Sequence, residues 1–378
     1  MLKKLLLFVL LASVVSCKTA PAPREAKPDL GSIMADFEYS IQKAITGDSA
    51  GAGMSIAVVH KDRIVWSKAF GYADKENHLP ADTSTIYRIG SISKSFTSFL
   101  MMQLVEKGLL KLTDPVELFL PEVKNLKGYN DSSKITFLQL ATHSSGLQRE
   151  PGLAGLDEGP ITDWEKKVLA AIPNTSFESK PGTKFSYSNI GYAILGLALS
   201  RAAGKPFITL IEENIFNPLQ MNNSYFVVPP EKFTKLATGR LNNRFKTIDF
   251  ETPKREHSGR GYKVPNGGIY STPNDLSKFI MAELGYSRLL NANDLETIQT
   301  GKVKEGGEVK YGLGLSIYSY DNKILIHHGG SVAGYTAEMA FEKNSKYGIV
   351  IMCNYNTVTA ILPFRAQALL DQLNALGN

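Results

Sequence analysis

Of 378 residues, 42 are Lys or Arg and 36 are Asp or Glu, a net charge of +6 that drops by two to +4 if Lys3 and Lys4 are removed by processing. That balance is too mild to imply nucleic acid as a partner. The only cysteines are Cys17 and Cys353, which argues against a disulfide framework, and about 345 residues lie beyond an N-terminal tether, more than one small core holds, which predicts one compact unit with two lobes.

The chain opens with Met1-Leu2-Lys3-Lys4, an apolar run over 5–11 and small residues up to Ser16, directly before Cys17. This is the layout of a secretory leader and is too short to span a bilayer, so 1–16 is expected to be a signal peptide. Val14-Val15-Ser16-Cys17 resembles the lipobox of bacterial lipoproteins, which implies that Cys17 is acylated and becomes the first residue of the mature chain. Residues 17–31 carry Pro21, Pro23 and Pro28 among Ala and charged residues and read as an extended tether. Several acyl chains anchor stably because each buried methylene adds about 0.8 kcal/mol. The expectation is an exported, membrane-anchored lipoprotein of a bacterial cell envelope.

Apolar residues at 33, 34, 37, 41, 44 and 45 predict a helix over 32–46. Residues 54–59 and 64–71 read as strands with Lys61-Asp62-Arg63 as their turn. A mostly helical block follows, with helices expected at 95–107, 136–142, 190–203 and 206–216 and long polar loops at 148–163 and 239–267 that suit a functional rim. Strands return at 311–319, 323–328, 336–342 and 347–353, and 359–376 closes the chain as an amphipathic helix. The sheet is therefore made from both chain ends. Cys353 falls inside an apolar strand and reads as a buried side chain.

Gly90-Ser91-Ile92-Ser93-Lys94 is an S-x-x-K sequence that places a hydroxyl and an amine one helical turn apart. A neutral lysine, its pKa depressed by burial or a neighbouring cation, can take the serine proton, and a helix N-terminus there can stabilise an oxyanion. Ser40-Ile41-Gln42-Lys43 has the same spacing but sits mid-helix, where both polar groups read as solvated. Tyr187-Ser188-Asn189 offers a phenol to pass a proton and an amide to hold Lys94 and a substrate amide. The matching Tyr320-Asp321-Asn322 lies between two predicted strands and reads as a turn. His328-Gly329-Gly330-Ser331 would let a strand approach a ligand, pair the N–H of Ser331 with that of Ser91 as an oxyanion hole, and set a protonated histidine against a substrate carboxylate. Without the other two elements that segment is better read as a Gly-rich hairpin turn with a surface histidine.

Taken in order, S-x-x-K, Y-x-N and H-x-G resemble the β-lactamase-related serine hydrolases, which include class C β-lactamases, D-alanyl-D-alanine peptidases and esterases. Tyr87-Arg88-Ile89-Gly90, Leu112-Thr113-Asp114-Pro115, His143-Ser144-Ser145-Gly146-Leu147, Gly267-Gly268-Ile269-Tyr270 and Tyr311-Gly312-Leu313-Gly314 extend the likeness over nearly all of 32–378. The resemblance implies an α+β fold, an antiparallel sheet formed from both chain ends and flanked by helices, with an inserted mostly helical lobe. It makes Ser91 the acylated nucleophile, Lys94 its base partner, Tyr187 the shared acid and base, Asn189 the orienting amide, and His328 and Gly330 part of the substrate-binding strand. His328 stands where β-lactamases of this type carry lysine, and a histidine is only partly charged near neutral pH. A carboxypeptidase or esterase is therefore favoured over an efficient β-lactamase.

A small-molecule or peptide substrate is expected, with no cofactor, no metal and no nucleic acid, and with the membrane reached through the N-terminal lipid. Other readings are weaker. Gly47-Asp48-Ser49-Ala50-Gly51 fits the G-x-S-x-G of another hydrolase fold, yet it follows a predicted helix rather than a strand and reads as a flexible linker. Six histidines without H-x-x-x-H spacing disfavour a zinc hydrolase, and His143 is expected to bond within the loop 142–146. A slow or inactive lipoprotein that binds penicillin or cell-wall peptides would be free to lose Ser91, Lys94 or Tyr187, and all are present.

Overall fold

The computed structural model describes residues 29–46, 52–242, 248–356 and 362–376. The predicted leader, Cys17, the tether through residue 28 and the Gly47-to-Gly51 linker lie outside the described residues.

Helix α1 (Leu30–Thr46) begins two residues inside the predicted tether. Asp29 caps it: its carboxylate accepts from Ser32 N at 2.8 Å while Asp29 N donates to Ser32 Oγ at 3.0 Å. Ile33, Met34, Phe37 and Ile41 then share one buried face. Ser40 sits half-buried on this helix and donates to Phe37 O, and Lys43 is exposed, so the second S-x-x-K is structural.

Nine antiparallel strands form the central sheet: β1 (Gly53–His60), β2 (Arg63–Asp74), β3 (Leu79–Pro80), β4 (Val303–Gly306), β5 (Val309–Tyr311), β6 (Ser316–Tyr320), β7 (Lys323–Val332), β8 (Tyr335–Glu342) and β9 (Tyr347–Cys353). Their order is β3-β2-β1-β9-β8-β7-β6-β5-β4. The two chain ends join where β1 pairs with β9, in the register Ile56↔Ile351. Alternation along β9 serves two layers. Ile349, Ile351 and Cys353 meet α1 and the C-terminal helix α5 (Leu362–Asn374), while Val350 and Met352 join the core that holds Phe96 and Phe279. Helix α2 (Ser93–Glu106) is buried from Ser93 to Leu104, and it packs with α3 (Asn189–Ala203) in the inserted block; α4 (Pro273–Glu283) lies against β1 and β9.

Two expectations need correction, and one element went unforeseen. The strand predicted over 311–319 is broken, because β5 ends at Tyr311, Gly312 N donates to Leu315 O, and Ser95 Oγ of α2 pins Gly314 O at 2.7 Å before β6 starts. The β4–β5 hairpin ahead of it carries little apolar alternation and was not predicted. Nor is 239–267 a structureless loop. It holds a short pairing of Leu241–Asn242 with Ile248–Asp249, a helix Glu251–Arg255 and the helical turn Val264–Gly267, and it packs on 148–163 through a Gly159↔Arg260 bridge and a Lys263–Asp157 ion pair at 3.1 Å. The turn at Asp321 and Asn322 is as expected, both residues having positive φ (45° and 62°) in a two-residue hairpin.

Candidate active site

Ser91 lies in a single 3-10 turn, Gly90–Ile92, that runs directly into α2. Two things set this turn in place. Arg88, 1% exposed, donates to the Glu256 carboxylate at 2.5 Å, and Glu256 also holds Arg260 at 3.1 Å. On the other side β7 passes alongside. Its pairing with β6 stops at Ser316↔His327, so residues 328–332 pair only with β8 and leave one edge toward the turn. Gly330 is what permits the approach, since a Cβ there would overlap the Ile89 carbonyl oxygen and stand 3.3 Å from Ser91 N. Ser331 N comes 2.9 Å from where a Cβ of Gly90 would be, so the strand runs against the turn at the residue before Ser91.

Lys94 is fully buried one turn beyond Ser91, with Nζ 3.2 Å from Ser91 Oγ and 3.1 Å from Asn266 O. Burial holds its amine well below the ordinary lysine range, and the charges of Arg149, Arg260 and Lys263 push the same way against the opposing Glu150. Tyr187 presents its ring to the amine, 4.8 Å from Nζ, and its phenol has the Ser91 side chain as a neighbour. Burial raises that phenol to about 12, more than the neighbouring Ser91 hydroxyl and the Arg149 charge lower it. The cluster therefore pairs an amine able to accept a proton with a phenol that keeps its own.

Tyr187 is held from behind by His143, whose ring lies 4.1 Å away and whose Nδ1 accepts from Ser188 N at 3.0 Å. His143 thus bonds the Y-x-N segment rather than the loop 142–146 as expected, because a positive φ of 55° turns it out of that loop.

Two of the sequence candidates depart from their expected roles. The Asn189 amide does not hold Lys94; Nδ2 donates to Glu150 Oε1 at 2.6 Å, and the carbonyl facing Lys94 is that of Asn266, whose own Nδ2 donates to Asn189 O at 2.9 Å. His328 is not a cation. It is 6% exposed, and burial with the nearby Lys94 pushes its pKa down to about 3. Its Nδ1 lies 2.7 Å from Gly329 O, an acceptor only, so Nδ1 carries the proton and Nε2 accepts from the Tyr311 hydroxyl at 3.0 Å. A neutral, internally bonded imidazole cannot pair with a carboxylate in the way expected.

Sequence reasoning passed over Asn266, Arg149, Glu150 and Tyr311 as site residues. Each lies in or beside a segment that carries the family likeness: Asn266 precedes Gly267-Gly268, Arg149 and Glu150 follow Leu147 by two and three residues, and Tyr311 is the first residue of Tyr311-Gly312-Leu313-Gly314. Adjacency to such segments was the available signal.

An antiparallel sheet from both chain ends, helices on its faces and a serine, lysine and tyrosine gathered at the mouth of a buried helix define the β-lactamase and penicillin-binding-protein class of fold. Comparison with known proteins agrees. The Beta-lactamase family model matches residues 41–374, and the chain belongs to that family. It is 30% identical to Beta-lactamase-like protein 4 of Dictyostelium discoideum, over 91% of this chain and 64% of that protein. To the D-alanyl-D-alanine-carboxypeptidase/endopeptidase AmpH of Escherichia coli K12 it is 28% identical over 67% of this chain and 62% of that one. The chain thus spans less than two thirds of the length of these curated relatives. Among solved structures, a class C β-lactamase superposes with a TM-score of 0.76 at 25% identity, covering 93% of this chain and 99% of that one.

Proposed function

We propose that the protein is a serine hydrolase that works through an acyl-enzyme on Ser91, cleaving amide or ester bonds in a D-alanyl peptide, a β-lactam or a short acyl ester. The observation that carries this reading is the buried Lys94 amine 3.2 Å from Ser91 Oγ, poised to be neutral. Lys94 takes the hydroxyl proton as Oγ attacks the carbonyl carbon, and the N–H groups of Ser91 and Ser331 receive the oxyanion. The leaving group departs with a proton from Tyr187, which is replenished by the Lys94 ammonium. Water then attacks the acyl ester, its proton returning through the same pair, and Ser91 regains its hydrogen.

Carboxypeptidase or esterase chemistry is favoured over efficient β-lactamase chemistry. The support is the residue at the lysine position of β-lactamases of this type, where the buried His328 offers no cation from β7 to a substrate carboxylate. Export and lipid anchoring at Cys17 belong to the same proposal and rest on the leader-like residues 1–16. The test is the intact mass of the domain from Asp29 after treatment with a fluorophosphonate or penicillin. One covalent adduct that disappears in Ser91→Ala is expected; an adduct that persists in that variant, or none under any acylating reagent, would refute the assignment and favour a binding-only protein.

A further inference from the structure

The mouth of the site carries a cation that the proposed chemistry does not use. Arg149 extends from the loop 148–163, and its main-chain carbonyl accepts from Asn189 N at 2.9 Å and Ile190 N at 3.3 Å, which ties the residue to the start of α3. Its guanidinium carbon stands 4.9 Å from the centroid of the Tyr187 ring. The same ring lies 4.8 Å from Lys94 Nζ, which is 3.2 Å from Ser91 Oγ, so a single aromatic ring separates the charge from the amine beside the nucleophile. The side chain is 65% exposed, and its nearest carboxylate oxygen, on Glu150, is 4.0 Å away.

Glu150 does not consume this charge. Its carboxylate already accepts from Asn189 Nδ2 at 2.6 Å and from the Tyr262 hydroxyl, with Lys263 Nζ at 3.5 Å. None of the Arg149 N–H donors has a hydrogen-bond partner among the described residues. A guanidinium presents planar donors that match a carboxylate in a bidentate way. Lys263, the next cation on this rim, is 14% exposed and is shared by Asp157 and Glu150.

We infer that Arg149 is the specificity-determining residue of the site, selecting substrates that bear a carboxylate close to the scissile ester or amide bond. This rests on the hydrolase reading above and takes over the role that the sequence suggested for His328. Arg149 touches the substrate only at that remote anion and takes no part in bond making or breaking.

The test uses three esters on the wild-type domain and on Arg149→Gln and Arg149→Lys: phenyl hexanoate, the monophenyl ester of adipic acid, and 3-carboxyphenyl hexanoate. These place no carboxylate, one on the acyl chain and one on the leaving group. The readout is KM for each anionic ester relative to the neutral one, which removes any general effect of the substitution on folding or on Lys94. Arg149→Gln is expected to raise that ratio about tenfold for the anionic ester the wild type favours, with partial rescue in Arg149→Lys, as loss of a charge-assisted pair predicts. Added salt should lower the wild-type preference. Hydrolysis of all three esters with ratios unchanged in Arg149→Gln overturns the inference and leaves the hydrolase standing. Failure of the wild type to hydrolyse any of the three esters overturns the inference, and the hydrolase reading falls with it only if a fluorophosphonate also leaves no adduct on Ser91.

Discussion

Lys94 is a lysine whose chemistry comes from what surrounds it rather than from its own preference. Water is excluded, three cations approach, and the amine is driven toward its neutral form. That arrangement costs stability. An unfolded lysine keeps its proton to about pH 10.4, whereas the folded one releases it lower, so between those limits the unfolded chain binds more protons and stability climbs with pH. Lys94→Met, similar in length and apolar, should therefore raise Tm at pH 7 by about 2–4 °C, with the gain shrinking as pH nears about 10.4. Calorimetry across pH measures this. The same variant should slow acylation of Ser91 by about 10²–10⁴. A lowered Tm at pH 7 would show that the Ser91 and Asn266 contacts outweigh the cost of burial.

Among the elements, the contact that matters most is the one between β7 and the turn ahead of α2. A strand can reach that turn only where it has shed its neighbour β6 and where one residue lacks a side chain. Gly330→Ala places a methyl group against the Ile89 carbonyl, forcing the strand away and with it the N–H of Ser331. Acylation should fall by about 10²–10³, the effect of losing an oxyanion donor, and Tm should drop with it. Gly329→Ala is the contrast, since its methyl would meet only the end of the Glu338 side chain at 3.0 Å. Stopped-flow acylation of the two variants checks the difference, and equal damage in both would mean the strand is sensitive to any added bulk.

For the molecule as a whole, the two chain ends are fastened together on one face of the sheet. Helix α1 covers Ile56, Val58, Ile349 and Ile351 beside α5, so it belongs to the folded unit and not to the tether. A domain beginning at Asp29 should elute as a single species and melt cooperatively. One beginning at Ala52 strips four buried apolar side chains from that face and should aggregate, since an uncovered apolar patch of this kind is not tolerated in solution. Size-exclusion chromatography and circular dichroism decide it; a well-behaved shorter domain would make α1 dispensable.

Much of this was legible in the residues themselves. The apolar run of β9, the helical spacing of α1, the turn at Asp321-Asn322 and the one-turn spacing of Ser91 and Lys94 are all local properties, written within a few residues of each other. The charge state of His328, the true partner of Lys94 and the break between Tyr311 and Ser316 are not local. Lys94 finds its carbonyl 172 residues away at Asn266, Asn189 finds Glu150 39 residues back, and Gly314 is pinned by Ser95 219 residues before it. Protonation and hydrogen-bond pairing depend on which groups are brought together out of water, and distance along a chain carries no information about that until the chain has folded.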